Sequence, residues 1–263
     1  MCTFAAPSLV RAQAADDDPA ALRLAEPDFT LISLPTSLRL PTFRSAFRVT
    51  HRFTRPLNQG DFGDLAGDFF GIDSGAQIGL EFRYGLVKNG QVVFYRKSNR
   101  TIQLSGQYSV LRQSSGSPVD VSALVTVEGT NNFRDSYSPA LGAIVSRDVG
   151  TIAAIYVEPI WVNNTNPLPK QLVDHNNTFF VGVGARIRVL PTVYITGEVA
   201  PTSGYRAGQT HGAFAIEKRV GGHLFQLNFS DSVGTTMAQI ARGGPPAPPH
   251  DWFMGFNISR KFF

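Results

Sequence analysis

Gly71-Ile72-Asp73-Ser74-Gly75-Ala76-Gln77-Ile78-Gly79-Leu80-Glu81-Phe82-Arg83-Tyr84-Gly85-Leu86-Val87 decides the fold class. Its even positions are Ile72, Ser74, Ala76, Ile78, Leu80, Phe82, Tyr84 and Leu86, mostly apolar, and its odd positions from Gly71 to Gly85 are polar or glycine. Successive side chains of a strand point to opposite faces, so a period of two sustained over this length predicts a strand with one greasy face and one polar face.

The same alternation recurs on both sides. Phe43, Phe47, Val49 and Phe53 oppose Arg44, Arg48 and Arg52; Phe179, Val181, Val183, Ala185, Ile187 and Val189 oppose Gly182, Gly184, Arg186 and Arg188. Phe225, Leu227 and Phe229 oppose Gln226, Asn228 and Ser230, and Trp252, Met254, Phe256 and Ile258 oppose Gly255, Asn257 and Ser259. Twelve segments carry the pattern, at about 42–54, 71–87, 91–98, 100–113, 117–128, 139–148, 151–161, 177–189, 192–201, 210–220, 223–231 and 251–262. Strand plus connection averages roughly 21 residues, which suits tilted strands long enough to cross a bilayer.

Connection lengths alternate as well. Lys88-Asn89-Gly90, Val149-Gly150, Leu190-Pro191 and Gly221-Gly222 are tight turns, and Ser114-Ser115-Gly116-Ser117-Pro118 is a short one. Pro56 to Phe70, Val162 to Asn176 and Ser232 to His250 are long and polar. In a membrane barrel the short turns and both termini lie on the periplasmic side and the long loops outside. The expectation is an all-β, antiparallel transmembrane β-barrel of about twelve strands, or ten if the segments flanking Ser98-Asn99 are one bent strand. A soluble β-sandwich or β-helix would also alternate. The aromatic-rich apolar face and the Gly, Gln, Asn, Arg and Glu of the polar face favour the barrel, with Phe53, Phe70, Tyr84, Tyr194, Trp252 and Phe262 as candidate interfacial girdles.

Composition fits. Of 263 residues, 43% are hydrophobic and 17% charged, below the roughly 25% charged of an ordinary soluble domain. No run of about 18 apolar residues exists, which excludes a helical membrane protein. The 20 Phe and 7 Tyr argue against disorder. A net charge of +4 comes from scattered Lys and Arg, so no nucleic-acid partner is expected.

Residues 1–14, MCTFAAPSLVRAQA, read as a signal peptide ending at Ala12-Gln13-Ala14, with cleavage expected after Ala14. The basic n-region is missing and the apolar run is short, which fits either a start placed too late or an ordinary terminus. Cleavage would remove Cys2 and, with it, disulfides, thiolate metal sites and c-type haem. Residues 15–41, with three consecutive acids and four prolines, read as a periplasmic lead-in, at most locally ordered, and residues 42–263 as the barrel.

From Phe47 to Phe263 the chain resembles a known family of bacterial β-barrels, domain of unknown function 5777. The resemblance rests on Thr50-His51-Arg52-Phe53, Phe69-Phe70-Gly71-Ile72-Asp73, Tyr84-Gly85-Leu86, Tyr95-Arg96, Gly197-Glu198-Val199-Ala200-Pro201, the run from Gly221 to Ser230, and Gly255-Phe256-Asn257-Ile258-Ser259-Arg260. It implies a barrel in the outer membrane of a Gram-negative bacterium and brings no catalytic residues.

With the apolar faces toward lipid, the lumen-lining candidates are Arg44, Arg48, Arg52, Asp73, Glu81, Arg83, Glu158, Arg186, Arg188, Glu198, Glu217 and Arg219. With Asp120, Glu128 and Lys261 they make eight bases and seven acids. A selective pore needs an excess of one sign, so this balance points to weak selectivity or to a salt-bridged, largely filled interior. Phe262 and Phe263 are the candidate signal for the barrel-assembly machinery. His51, His175, His211, His223 and His250 lack metal-ligand spacing, and Asp61, Asp64 and Asp68 match no calcium cage, so no metal and no cofactor are expected.

The expected function is a passive or weakly selective, porin-like channel for small solutes. The alternative is a non-conducting structural or interaction scaffold presenting extracellular loops to a protein partner that the sequence does not identify. An outer-membrane lipid hydrolase ranks third. His223 and Ser230 lie seven residues apart on one strand, roughly 23 Å, too far to touch, so the chain is not expected to be an enzyme.

Overall fold

A chain of two-faced strands must hide its edges as well as its faces, and closing the sheet on itself removes the edges altogether. The computed structural model describes residues 23–166, 177–205, 210–243 and 251–262. In these residues the strands are β1 (Ser45–Phe53), β2 (Ala76–Val87), β3 (Gly90–Lys97), β4 (Ile102–Leu111), β5 (Asp120–Thr130) and β6 (Asp135–Val149), followed by β7 (Ala153–Val162), β8 (Thr178–Leu190), β9 (Val193–Gly204), β10 (Thr210–Val220), β11 (His223–Ser230) and β12 (Phe253–Phe262). Each pairs antiparallel with its neighbours in the chain, and β1 pairs with β12 to close the barrel. Val49 of β1 stands opposite Leu80 on one side and Ile258 on the other.

The twelve-strand count is settled at Ser98-Asn99. β3 and β4 are separate antiparallel strands, with Gln91 opposite Gln107 and Phe94 opposite Leu104. The two-residue links after β2, β8 and β10 lie at the rim where β1 begins and β12 ends, and the described parts of the long connections, 54–75, 163–166 and 231–243, leave the strands at the other. The first of these carries helix α1 (Phe62–Gly67) and the last carries helix α2 (Met237–Arg242).

Two expectations are corrected. β2 begins at Ala76, not Gly71: Phe69 to Ser74 form a 3-10 turn, and Phe70, Gly71 and Gly75 have left-handed or related positive φ that ends the extended run. Tyr194 is no girdle residue, because it faces the lumen and is fully buried.

The outward face is continuous and apolar. Leu80, Phe82, Phe94, Val125, Leu141, Val157, Trp161, Phe179, Val183, Ile195, Ile216 and Leu227 are all exposed on it. No described helix is long and apolar enough to span a bilayer.

The largest departure from expectation is inside. Residues 23–41, read above as a lead-in, run through the lumen, and nearly every residue from Ala25 to Leu40 is buried. They form a hairpin: Thr30 bridges Pro35, Leu31 N–H donates to Leu34 O at 2.8 Å, and Thr36 N–H donates to Phe29 O at 2.9 Å. Helix α2 folds into the lumen from the opposite rim, with Met237, Ala238, Ile240 and Ala241 buried. The proposed leader 1–14 and residues 15–22 lie outside the described residues, as do His175, His250 and Phe263.

Candidate functional site: an occupied lumen

The wall makes room for the hairpin with small residues at close approaches. A Cβ on lumen-facing Gly182 would lie 2.9 Å from Leu34 Cδ1, and one on Gly184 would overlap Leu31 Cδ1. Leu31, Leu34 and Ala25 pack in one cluster with Ala140, Ile144, Ala154, Tyr156, Ile160, Phe180 and Ala200 of the wall and with Met237, Ala238, Ile240 and Ala241 of α2. The two insertions therefore share one apolar core on the β5–β9 side of the barrel.

Polar wall residues take up the hairpin's backbone groups, which burial would otherwise leave unpaired. Glu198 accepts from the amides of Ile32 (2.9 Å), Ser33 (2.8 Å) and Leu34 (3.1 Å) at the hairpin tip. Arg186 donates to Thr30 O at 2.7 Å, Gln226 to Leu31 O at 2.7 Å, Asn257 to Ile32 O at 3.0 Å and Gln107 to Thr36 O at 2.9 Å. Gln91 both donates to Leu38 O (3.0 Å) and accepts from Leu40 N–H (2.9 Å). At the turn-bearing rim Arg23 pairs with Glu26, Asp120 and Asp148. Burial disfavours the Arg23 cation, but Glu26, Asp148 and Asp120 outweigh it and hold its pKa above the usual arginine value.

The second insertion is held by a different set. Thr236 caps α2 and donates to Glu128, which also accepts from Arg242 at 3.1 Å. Lys97 donates to Gln239 at 2.6 Å and to Val233 O at 3.1 Å, and Gln103 accepts from Met237 N–H at 2.9 Å. Between hairpin, α2 and wall remains a cavity of about 30 Å³ lined by Thr30, Arg48, Glu81, Arg83, Tyr95, Gln107, Thr235 and Met237. It has room for water and is too small to be a solute path.

The predicted lumen residues separate into three groups. Arg48, Arg52, Glu81, Arg83, Glu158, Arg186, Glu198 and Glu217 are buried inside the barrel. Arg48 and Arg83 both pair with Glu81, at 2.7 and 3.0 Å, and Arg186 pairs two-pronged with Glu217 at 2.8 and 3.0 Å. Arg52 meets an amide, Asn257 Oδ1, at 2.8 Å. Glu158 is fully buried and, among the described residues, has no hydrogen-bond donor for either carboxylate oxygen. Arg188 and Arg219 are half-buried near strand ends, where Arg188 bonds Pro191 O. Arg44 and Asp73 are corrected: both are exposed and precede their strands, Arg44 at the β1 rim and Asp73 in the 3-10 turn. Asp61 and Asp64 satisfy each other's amides in a capping box, and Asp68 pairs with Arg55 at 2.5 Å, so the acidic loop is locally spent.

Sequence reasoning missed His211, whose two ring nitrogens lie 3.1 Å from Glu198 and from Asp231. Its lumen-side register, shared with Glu217 and Arg219, was the available signal. It also missed the hairpin, whose needs are visible in the carboxamides Gln91, Gln107, Gln226 and Asn257 on the inner face.

Residues 30–262 match the membrane bound beta barrel domain, domain of unknown function 5777. The chain belongs to this family. The family match includes the hairpin tip and the whole barrel, and the apolar outer wall of this membrane-bound barrel is its contact with lipid. Among solved structures the barrel is similar to the NanC porin, at 7% identity over 84% of this chain and all of that one, with a TM-score of 0.56. It is also similar to an outer membrane channel from Pseudomonas putida F1, at 12% identity over 85% of this chain and 97% of that one, with a TM-score of 0.52. At such identity the likeness is one of fold. No curated protein matches the chain in sequence. The protein is an outer-membrane β-barrel of bacterial type.

Proposed function

We propose that this barrel is a closed pore whose lumen is blocked by two displaceable parts of its own chain. The observation that carries this reading is the mode of contact. The hairpin tip is held by side-chain acceptors and donors on the wall, with no described strand pairing to it, so it can leave without breaking the barrel ladder. Charged pairs along the wall are balanced, which favours small solutes of either sign once the path is open.

The second reading, a non-conducting scaffold presenting its extracellular loops, is favoured by the apolar core that hairpin and α2 share. Planar-bilayer recordings separate the two. The intact chain should be silent or open rarely, and a variant lacking 23–40 and 233–243 should give steady conductance. A folded double deletion that stays silent would favour the scaffold.

We also read the chain as having no catalytic role. Each ring nitrogen of His211 already faces a carboxylate, and none is left to activate a serine. Purified protein releasing no fatty acid from phospholipid or lipopolysaccharide is the expected result. Phe262, exposed at the end of β12, and Phe263, which lies outside the described residues, are proposed as the signal read by the barrel-assembly machinery. No nucleic-acid partner is proposed.

A further inference from the structure

The β1–β2 segment, residues 54–75, lies on the outside of the barrel. In β1 the even residues Arg48, Thr50 and Arg52 are buried in the lumen, so His51 and Phe53 face outward. His51 stacks on Phe256 at 4.6 Å and Phe53 lies 4.5 Å from His51. A Cβ added to Gly71 would sit 3.6 Å from Phe53 Cβ and 3.1 Å from Arg55 Cβ. The 3-10 turn is therefore laid against the outward side of the wall. Two ties keep it there: Arg55 pairs with Asp68 at 2.5 Å, and Thr54 Oγ1 donates to Ser74 O at 2.9 Å.

On this flap the apolar side chains point away from the protein. Phe62 is 74% exposed, Phe69 64%, Ile72 55% and Phe70 41%, and the rings of Phe62 and Phe70 meet edge to face at 6.3 Å. Phe69 and Phe70 hold positive φ of 50° and 58°. Such backbone is costly for bulky residues and persists where the surroundings over-determine it. Four large apolar groups in water at a loop tip would be a liability. Here they continue the lipid-facing surface of β2, where Ile78 and Leu80 are also exposed.

We propose that residues 62–72 form an in-plane anchor seated in the headgroup–acyl boundary of the outer leaflet, with Phe62, Phe69, Phe70 and Ile72 as the inserted groups. Its partner is the lipid surface itself. Continuity with the lipid-facing wall selects that occupant, and the apolar side chains supply the depth that short interfacial elements reach, about 5–10 Å. Asp61 and Asp64, spent on capping α1, keep the other side of the flap polar.

The test uses the full chain with Cys2→Ser and single Phe62→Cys or Phe69→Cys substitutions carrying an environment-sensitive fluorophore, in dioleoyl phosphatidylcholine vesicles. Asn131→Cys, in the exposed β5–β6 turn, is the control. Folding is checked by heat-modifiable migration. Chain-borne nitroxide lipid should quench positions 62 and 69 at least about threefold more than 131, and aqueous iodide correspondingly less. Iodide quenching at 62 and 69 equal to that at 131 would overturn the proposal. So would protection that disappears on diluting the protein per vesicle, which would assign the surface to a second copy of the chain.

Discussion

Glu198 gathers three consecutive backbone amides of the hairpin tip, and His211 stands behind it, so one wall carboxylate fixes the deepest point of the plug. Removing an acceptor from buried donors costs about 1–3 kcal/mol for each one left unpaired. Glu198→Ala should therefore loosen the tip by about 3 kcal/mol or more, read as roughly a hundredfold faster amide exchange at Ile32, Ser33 and Leu34. Glu198→Gln keeps an acceptor oxygen and should lose less. Glu158, equally buried but with no donor among the described residues, gives the opposite expectation: Glu158→Gln should leave the urea midpoint in detergent unchanged or raise it. A clear drop in that midpoint would contradict this and show that the Glu158 carboxylate itself holds structure. Gly184→Val tests the steric side. The added side chain would occupy the place of Leu31 Cδ1, so the hairpin should unseat and channel opening in bilayers should rise while the barrel still migrates as folded.

At the scale of elements, α2 depends on a single residue twice. Thr236 caps the helix through Gln239 N–H and donates to Glu128. Thr236→Ala should cost about 1–2 kcal/mol of local stability and make the 231–243 segment more sensitive to protease added outside, with the barrel core resistant. An unchanged cleavage rate would mean that the α2 seat is held by packing alone. The strands were legible in the sequence because each has one face in lipid and one in the lumen, and that difference writes a period of two. The hairpin was not, for the converse reason. Phe29, Leu31, Ile32, Leu34, Leu38 and Leu40 are buried on every side, so nothing forces polar and apolar residues to alternate. The same applies to Met237, Ala238, Ile240 and Ala241 in a helix of under two turns. Ile72 and Asp73 misled because a 3-10 turn preserved the parity of β2 by chance. Among the expected lumen charges, Arg186 and Glu217 lie mid-strand and are buried inside the barrel, whereas Arg188 and Arg219 near strand ends are only half-buried. Arg44 and Asp73 were misplaced, because parity was extended past a strand end.

For the whole molecule, closure of twelve strands and filling of the lumen are separable. Twelve strands lie between eight-stranded barrels, which side chains can fill, and the sixteen-stranded porins, which leave an aqueous channel. Here the chain supplies the filling from both rims. Because β1 pairs with β12 directly, a chain lacking 23–40 should still fold and show heat-modifiable migration in detergent; failure to fold would make the hairpin part of the assembly nucleus. The most direct test of the occupied lumen is hydrogen–deuterium exchange of the intact chain in lipid nanodiscs, followed at the amides of Leu31, Ile32, Ser33, Leu34, Thr36 and Leu40. These six donate to Leu34 O, Glu198, Phe29 O and Gln91. Protection approaching that of the barrel strands is the predicted result, and exchange of the 29–40 segment at the rate of a free chain would contradict the account.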